Sequence, residues 1–304
     1  MKLLKELCSV FAPSGDEGKM KDFILDYVAE NQQNWKVQPQ VIEGEELQDC
    51  IILVFGQPRT AIFAHMDSIG FIVKYDRELV KVGGPRLKHN YVLLGEDGQG
   101  PIECEMNLPE GSKKASYKFE REIDRGTNLV FKSDFRTSDE FVQSCYLDNR
   151  LGCYNALKVA ETLENGIICF SCYEETGGGT VGFLGKYIYE KYKVRQALIS
   201  DITWITDGVK HGKGVVISMR DVGVPRRKYL NKVIDLAKKS GVPYQLEVED
   251  AGGSDGTQLQ KSPYPFDWCF VGAAEDNVHT PDEKVHLKDI DAMVNLYKYL
   301  MQHL

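Results

Sequence analysis

No apolar run in this sequence approaches the ~20 residues needed to span a bilayer. The opening segment, MKLLKELCSVF, does not read as an export signal, because charges interrupt it while Leu3, Leu4, Leu7, Val10 and Phe11 share one helical face. It predicts an amphipathic helix. Cysteine is sparse, with eight in 304 residues, too few for a disulfide scaffold. Without an export signal the thiols are expected to be reduced and the protein cytoplasmic. Positive charge is in deficit: 37 Lys and Arg against 45 Asp and Glu leave a formal net charge of −8. That balance argues against nucleic acid or an anionic membrane as the main partner. Internal repeats and low-complexity segments are absent. One cysteine pair, Cys169 and Cys172, has CxxC spacing, but it lies in the apolar run GIICFSCYEE, which reads as a buried strand. Strand residues three apart point to opposite faces, so the pair is not expected to hold one ion.

What is present suits an α/β protein. The chain is 42% hydrophobic and long enough for one large domain or two ordinary ones. Ser14 and Glu17 have capping-box spacing before a helix carrying Met20, Phe23, Ile24, Tyr27 and Val28. Strands are predicted at Cys50–Phe55 and Ala61–Ala64. From about Phe71 the texture changes. The pieces FIVKY, ELVKV, YVLL, PIECEM, NLVF and FVQSC alternate with turn signals such as Asp97-Gly98 and Glu110-Gly111, without helical periodicity. Strand and helix patterns alternate again from Asn149, ending in a helix that aligns Ile290, Met293, Tyr297, Leu300 and Leu304. The expected fold is a mixed α/β sheet flanked by helices, residues 1–70 and 146–304, interrupted by a small β-barrel module over 71–145.

The chemistry-bearing residues fall at predicted strand ends. His65 and Asp67 follow one strand, Asp148 precedes a helix, and Glu174 and Glu175 follow a third strand ahead of Gly177-Gly178-Gly179. Asp201 is expected to end the ALIS strand, and His279 to lie in a loop after Trp268–Val271. The carboxyl edge of an open α/β sheet is where ligands bind. Carboxylates mixed with imidazoles favour Zn, Co or Mn over a thiolate-bound ion. A shared Asp, two His and two further carboxylates would serve two divalent ions, which together hold a bridging hydroxide. Adjacent Glu174 and Glu175 would face opposite ways on a regular strand, so both reach one site only if the chain turns there.

The ordered segments PSGDEG, HMDSIGF, KVGGPR, YLDNRLG, YEETGGG, SDIT, GGSDGTQ and NVHTPDE resemble the cocatalytic di-metal aminopeptidases of the tetrahedral, glutamyl and deblocking type. The resemblance spans nearly the whole chain. It implies a metallopeptidase domain with an inserted β dimerisation module, and removal of N-terminal residues from peptides with a free amino terminus by a hydroxide bridging two metal ions, zinc above all. Residue by residue it implies His65 and Asp201 on one ion, Glu175 and His279 on the other, and Asp148 between them. Glu174 would be the catalytic base and Asp67 would orient His65. The chain departs from the family at Ser68, where a Glu is usual, and at Asn149, where the pattern has a second Asp. It also departs at Gly179 and Asp276, where arginines are expected. A same-clan carboxypeptidase or deacylase, a carboxylate-only glycosidase and a non-catalytic peptide-binding relic are the competing readings.

Overall fold

The computed structural model describes residues 1–304. Two helices open the chain. α1 (Lys2–Ser9) buries Leu4, Leu7 and Cys8, and α2 (Gly18–Asn31) buries Met20, Ile24 and Val28. The capping box expected of Ser14 and Glu17 does not form. The Glu17 carboxylate instead accepts from the N–H groups of Gly15 (2.9 Å) and Tyr173 (3.3 Å), while Ser14 Oγ pairs with Thr176 Oγ1. Both side chains are engaged by the segment around Glu174, not by the start of α2.

After β1 (Gln40–Ile42), β2 (Ile51–Phe55) and β3 (Ala61–His65), six short strands close into a barrel. They are β4 (Gly70–Val73), β5 (Glu78–Val82), β6 (Val92–Asp97), β7 (Gly100–Asn107), β8 (Ala115–Lys118) and β9 (Asn128–Phe131), closed in the order β4-β5-β8-β7-β6-β9. The period-two pattern sets the inward face: on β7, Ile102, Cys104 and Met106 enter the barrel core with Phe71, Leu129 and Phe131. The β6–β7 hairpin turns at Asp97-Gly98, with Asp97 paired to Gly100 and its carboxylate accepting from the Gln99 N–H at 2.9 Å.

The segment FVQSC, expected in this module, belongs elsewhere. After β10 (Arg136–Thr137), β11 (Phe141–Ser144) turns Val142 into the main core and joins the large sheet. The rest of the chain supplies α3 (Leu147–Ala160), β12 (Gly166–Ser171), α4 (Val181–Tyr192), β13 (Gln196–Trp204) and β14 (Val215–Ser218). It continues through α5 (Arg227–Ser240), β15 (Tyr244–Glu247), α6 (Asp255–Lys261), β16 (Asp267–Asp276), β17 (Glu283–His286) and α7 (Leu287–His303). The large sheet runs β1-β2-β12-β3-β13-β16-β17-β11-β10, with β14 also pairing β16 and β15 pairing β14. Its central strands β12, β3, β13 and β16 are parallel and almost wholly buried, as their largely apolar sequences require. Helices α1 and α7 pack on α3, and α4 packs on α6. The protein is thus a mixed sheet flanked by helices and carrying a closed β-barrel. All eight cysteines are free and buried, Cys169 and Cys172 among them.

Candidate metal centre

Because β12, β3, β13 and β16 run in parallel, their carboxyl ends lie along one edge of the sheet, and the polar residues of four connections meet there. His65 is the last residue of β3. Asp201 does not end its strand as expected. β13 continues to Trp204 because β16 pairs with all its residues, from Gln196↔Asp267 to Trp204↔Glu275. The β3 pairing stops at Phe63↔Ile199, so Asp201 lies two residues further along the same face, level with His65. Glu174 and Glu175 face one site because the chain does turn. Tyr173 takes a left-handed φ of 63°, a short 3₁₀ turn covers Glu174–Thr176, and Gly177 follows at φ 107°. Asp67 fixes that turn by accepting from the N–H groups of Glu174 and Glu175, each at 3.0 Å. Tyr146 (φ 67°) and His279 (φ 66°) are also left-handed. Such non-glycine backbone persists only where surrounding structure holds it.

The five proposed ligands form two overlapping groups, His65–Asp148–Asp201 and Asp148–Glu175–His279. His65 Nε2 lies 3.3 Å from Asp148 Oδ1, 3.7 Å from Asp201 Oδ2 and 3.9 Å from Glu174 Oε2. His279 Nε2 lies 3.3 Å from Asp148 Oδ2 and 3.3 Å from Glu175 Oε2. The two Asp148 oxygens therefore face different histidines. On the far side of its ring, His65 Nδ1 is 3.3 Å from Asp67 Oδ1 and 3.2 Å from the Asp67 carbonyl. His279 Nδ1 meets the Gly84 carbonyl at 3.1 Å.

Burial disfavours charge on both imidazoles, yet the facing carboxylates outweigh it. His65 is raised well above its ordinary value by Asp201, Asp148 and Asp67, and His279 is raised to about 11 by Asp148 and Glu175. Asp148 is buried too, but the two histidines hold its carboxyl well below the usual range. Desolvation pushes Glu174, Glu175 and Asp201 up, and neighbouring carboxylates push them further. The cluster has more buried negative charge than two imidazolium groups balance, and Glu175 Oε1 is buried with no hydrogen-bond partner. Divalent cations would offset that charge. A tetrahedral zinc with bonds of ~2.0–2.1 Å holds neighbouring donor atoms about 3.3–3.4 Å apart. Three of the four measured contacts are 3.3 Å and the fourth is 3.7 Å, so the donor set fits two such ions sharing Asp148.

Sequence reasoning missed the groups that hold these ligands. Glu283 accepts from the Asp148 N–H (3.3 Å) through Oε2 and from the His279 N–H (3.0 Å) through Oε1. Arg150, fully buried, donates to the carbonyls of Met66 and Asp67 beside His65. Both lie inside the segments YLDNRLG and NVHTPDE, but nothing local marks their remote partners. Asn149 is accommodated in place of the family's Asp: its amide donates to the Ser200 carbonyl (2.8 Å) and its oxygen accepts from the Gly152 N–H (2.9 Å). Ser68 ties β3's exit to the Ala12 carbonyl at 3.1 Å. Asp276 is engaged by His211 (3.0 Å) and Lys284 (3.3 Å). Beside the cluster opens a cavity of about 380 Å³, whose lining includes Asp148, Glu174, Glu175, Asp201 and His279 but neither Gly179 nor Asp276.

A parallel-sheet edge that converges carboxylates and imidazoles on a cavity, in a fold carrying an inserted barrel, is matched by a family of peptide hydrolases. The family described as M42 glutamyl aminopeptidase matches residues 96–296, and the chain belongs to it. It is a peptide hydrolase. A relative from Acetivibrio thermocellus is 26% identical over 331 aligned positions, spanning 97% of this chain and 96% of its own length. The same fold occurs in the Pyrococcus horikoshii TET1 peptidase, which can assemble into a tetrahedron or a large octahedral shell (TM-score 0.83, 22% identity, 100% of this chain and 99% of that one). It occurs also in an aminopeptidase of the archaeon Desulfurococcus kamchatkensis (TM-score 0.86, 20% identity, 100% and 94%).

Proposed function

We propose that the protein is a metal-dependent aminopeptidase that removes amino-terminal residues from peptides. His65 and Asp201 hold one divalent ion, Glu175 and His279 the second, and Asp148 is shared between them. The observation that carries this reading is that each Asp148 oxygen lies 3.3 Å from a different histidine Nε2. The nitrogen and oxygen donors suit zinc, with cobalt or manganese as substitutes. When bound, the ions supply Lewis acidity toward the scissile carbonyl and a water of lowered pKa. Glu174 lines the cavity without belonging to either ligand group, so its carboxylate is free to take a proton from water and return it to the leaving amine. Asp67 orients the His65 ring through Nδ1 and fixes the Glu174–Glu175 turn through its two backbone bonds.

We further propose that copies of the chain associate through the barrel. Ile72 and Val80 are cross-strand partners on its outer face, 37% and 48% exposed, with Tyr75 beside them at 51%. An outward apolar patch of this kind is characteristic of a subunit contact. The TET1 peptidase's assembly into a tetrahedron or shell supports self-association, and the barrel's outward patch is the surface we assign to it.

The test of the activity uses free-amine, amino-blocked and carboxyl-specific peptides on metal-free and zinc-restored protein. Cleavage confined to free-amine peptides, lost on chelation and restored by zinc, is expected. Release of carboxyl-terminal residues would favour a carboxypeptidase, and full activity after chelation would refute the metal-dependent reading.

A further inference from the structure

The cavity extends well past the ligand cluster, and its far wall is acidic. Asp221, Glu247 and Glu249 line it there, against one cation, Lys261. Asp221 and Glu247 are 8% and 3% exposed, and burial raises both above the ordinary carboxylate range. These carboxylates are held in place. Glu247, at the end of β15, accepts from Thr203 Oγ1 on β13, and its backbone carbonyl accepts from the Met219 N–H at 2.8 Å. Asp221 Oδ1 accepts from the Gly223 N–H, with Ser254 Oγ 3.4 Å from its other oxygen.

Two further hydroxyl residues line the cavity, Ser218 and Thr257, 2% and 6% exposed. Ser218 sits beside the Glu247 carboxylate, and Thr257 Oγ1 is buried with no hydrogen-bond partner. Apolar side chains also line the cavity: Ile202, Trp204, Val222, Phe270 and Val278. Trp204 is 40% exposed and its indole lies against Gly252, where a Cβ would sit 3.5 Å from the ring. The distance from the cluster follows from the strand. Asp201 and Thr203 share one face of β13, roughly 7 Å apart at two residues' rise, and Thr203 carries Glu247.

We propose that this wall is the side-chain pocket of the aminopeptidase and that it selects amino-terminal lysine or arginine. The inference rests on the aminopeptidase reading and names its substrate class. The four-carbon stem of lysine spans the separation between Asp201 and Glu247, packs on Trp204 and Val222, and brings its ammonium to the carboxylates. The Thr257 hydroxyl offers an acceptor for a donor that the carboxylates leave over, and the exposed indole face attracts the same cation. An amino-terminal glutamate meets three like charges in the same place.

The experiment compares kcat/KM for lysyl, arginyl, leucyl and glutamyl p-nitroanilides with the zinc-loaded wild-type protein and with Glu249→Gln and Asp221→Asn. Each change keeps the side chain's size, and the half-buried Glu249 is the safer for folding. Wild-type protein is expected to prefer lysyl and arginyl over leucyl substrates by about ten- to hundredfold, the scale of one or two charge-assisted hydrogen bonds, with glutamyl slowest. Each variant is expected to lower the lysyl-to-leucyl ratio, mainly through KM. A ratio unchanged in both variants would mean the carboxylates act on the α-ammonium or only on the fold, and would overturn the proposal. A glutamyl or leucyl preference in wild-type protein would overturn it too while leaving the aminopeptidase reading intact. Hydrolysis of none of the four would count against that reading itself.

Discussion

Replacing Gly84 by alanine perturbs one proposed metal site without changing the identity of any ligand. Gly84 follows β5 at the barrel's junction with the sheet, and its carbonyl lies 3.1 Å from His279 Nδ1. A Cβ there would sit 2.9 Å from Nδ1 and 3.2 Å from Cε1 of the same ring. Ordinary contact begins at 3.4 Å, so the ring must retreat by about 0.5 Å (3.4 − 2.9). It has little freedom to do so, because the His279 N–H is bonded to Glu283 at 3.0 Å and its carbonyl to the Arg86 N–H at 2.9 Å. The backbone at Gly84 is outside the left-handed region, so the effect is steric. Disturbing a group that orients a ligand typically costs about 10–100-fold in metal affinity, or about 1.4–2.7 kcal/mol. Calorimetric titration of metal-free protein with zinc is expected to give two binding events, of which only the one supported by Glu175 and His279 weakens in Gly84→Ala. Gly182→Ala in α4, where an added Cβ meets nothing within 4 Å, is the control and leaves both events unchanged. Two undisturbed zinc affinities in Gly84→Ala would refute the placement of His279 as a ligand.

Four other outcomes are expected. Glu174→Gln keeps both metals and peptide binding while kcat falls by about 10²–10⁴-fold. Glu175→Gln weakens one metal site and is partly rescued by excess zinc; metal counts with opposite behaviour would exchange their roles. In the barrel, Arg121 grips Asp97 through both oxygens (2.6 and 2.8 Å) and holds its carboxyl well below the usual range. The folded state therefore favours the ionised form, a contribution present above about pH 4, the carboxyl's unfolded value, and lost as pH falls through the folded one. Asp97→Asn should show a shallower loss of melting temperature on acidification than wild-type protein, and equal slopes would contradict this. Ile72→Glu with Val80→Glu puts like charges on the outward patch and should give monomers in light scattering; unchanged mass would remove the barrel from the subunit contact.

The sheet edge is legible because mostly apolar runs end in polar residues, which puts His65, Asp148, Glu174, Glu175 and His279 at strand ends; their division between two ions comes from the family resemblance. The glycine run after Glu175 signalled the turn that brings both glutamates to one side. What escaped depends on partners far along the chain. Glu17 looked like a helix cap, but the Tyr173 N–H, which only the fold brings near, takes its carboxylate. Glu283 reaches Asp148 across 135 positions, and Arg150 reaches Met66 across 84. β17 is four residues with two charged or ionisable ends, too short and polar to read as a strand, and without it FVQSC could not be assigned to the large sheet. The apolar run ALIS ends just before Asp201, which predicts a strand end there, whereas pairing with β16 carries β13 on to Trp204.

Asp148, whose two oxygens face two histidines, is the residue that both proposed metal sites share. Elemental analysis of zinc-loaded, dialysed protein, run beside turnover of an aminoacyl substrate, tests this. Wild-type protein is expected to retain two zinc ions per chain. Asp148→Asn, which replaces two anionic oxygens by one neutral acceptor and an amide, is expected to retain fewer than one and to lose turnover. An Asp148→Asn protein that keeps two ions and normal turnover would contradict the shared-ligand centre.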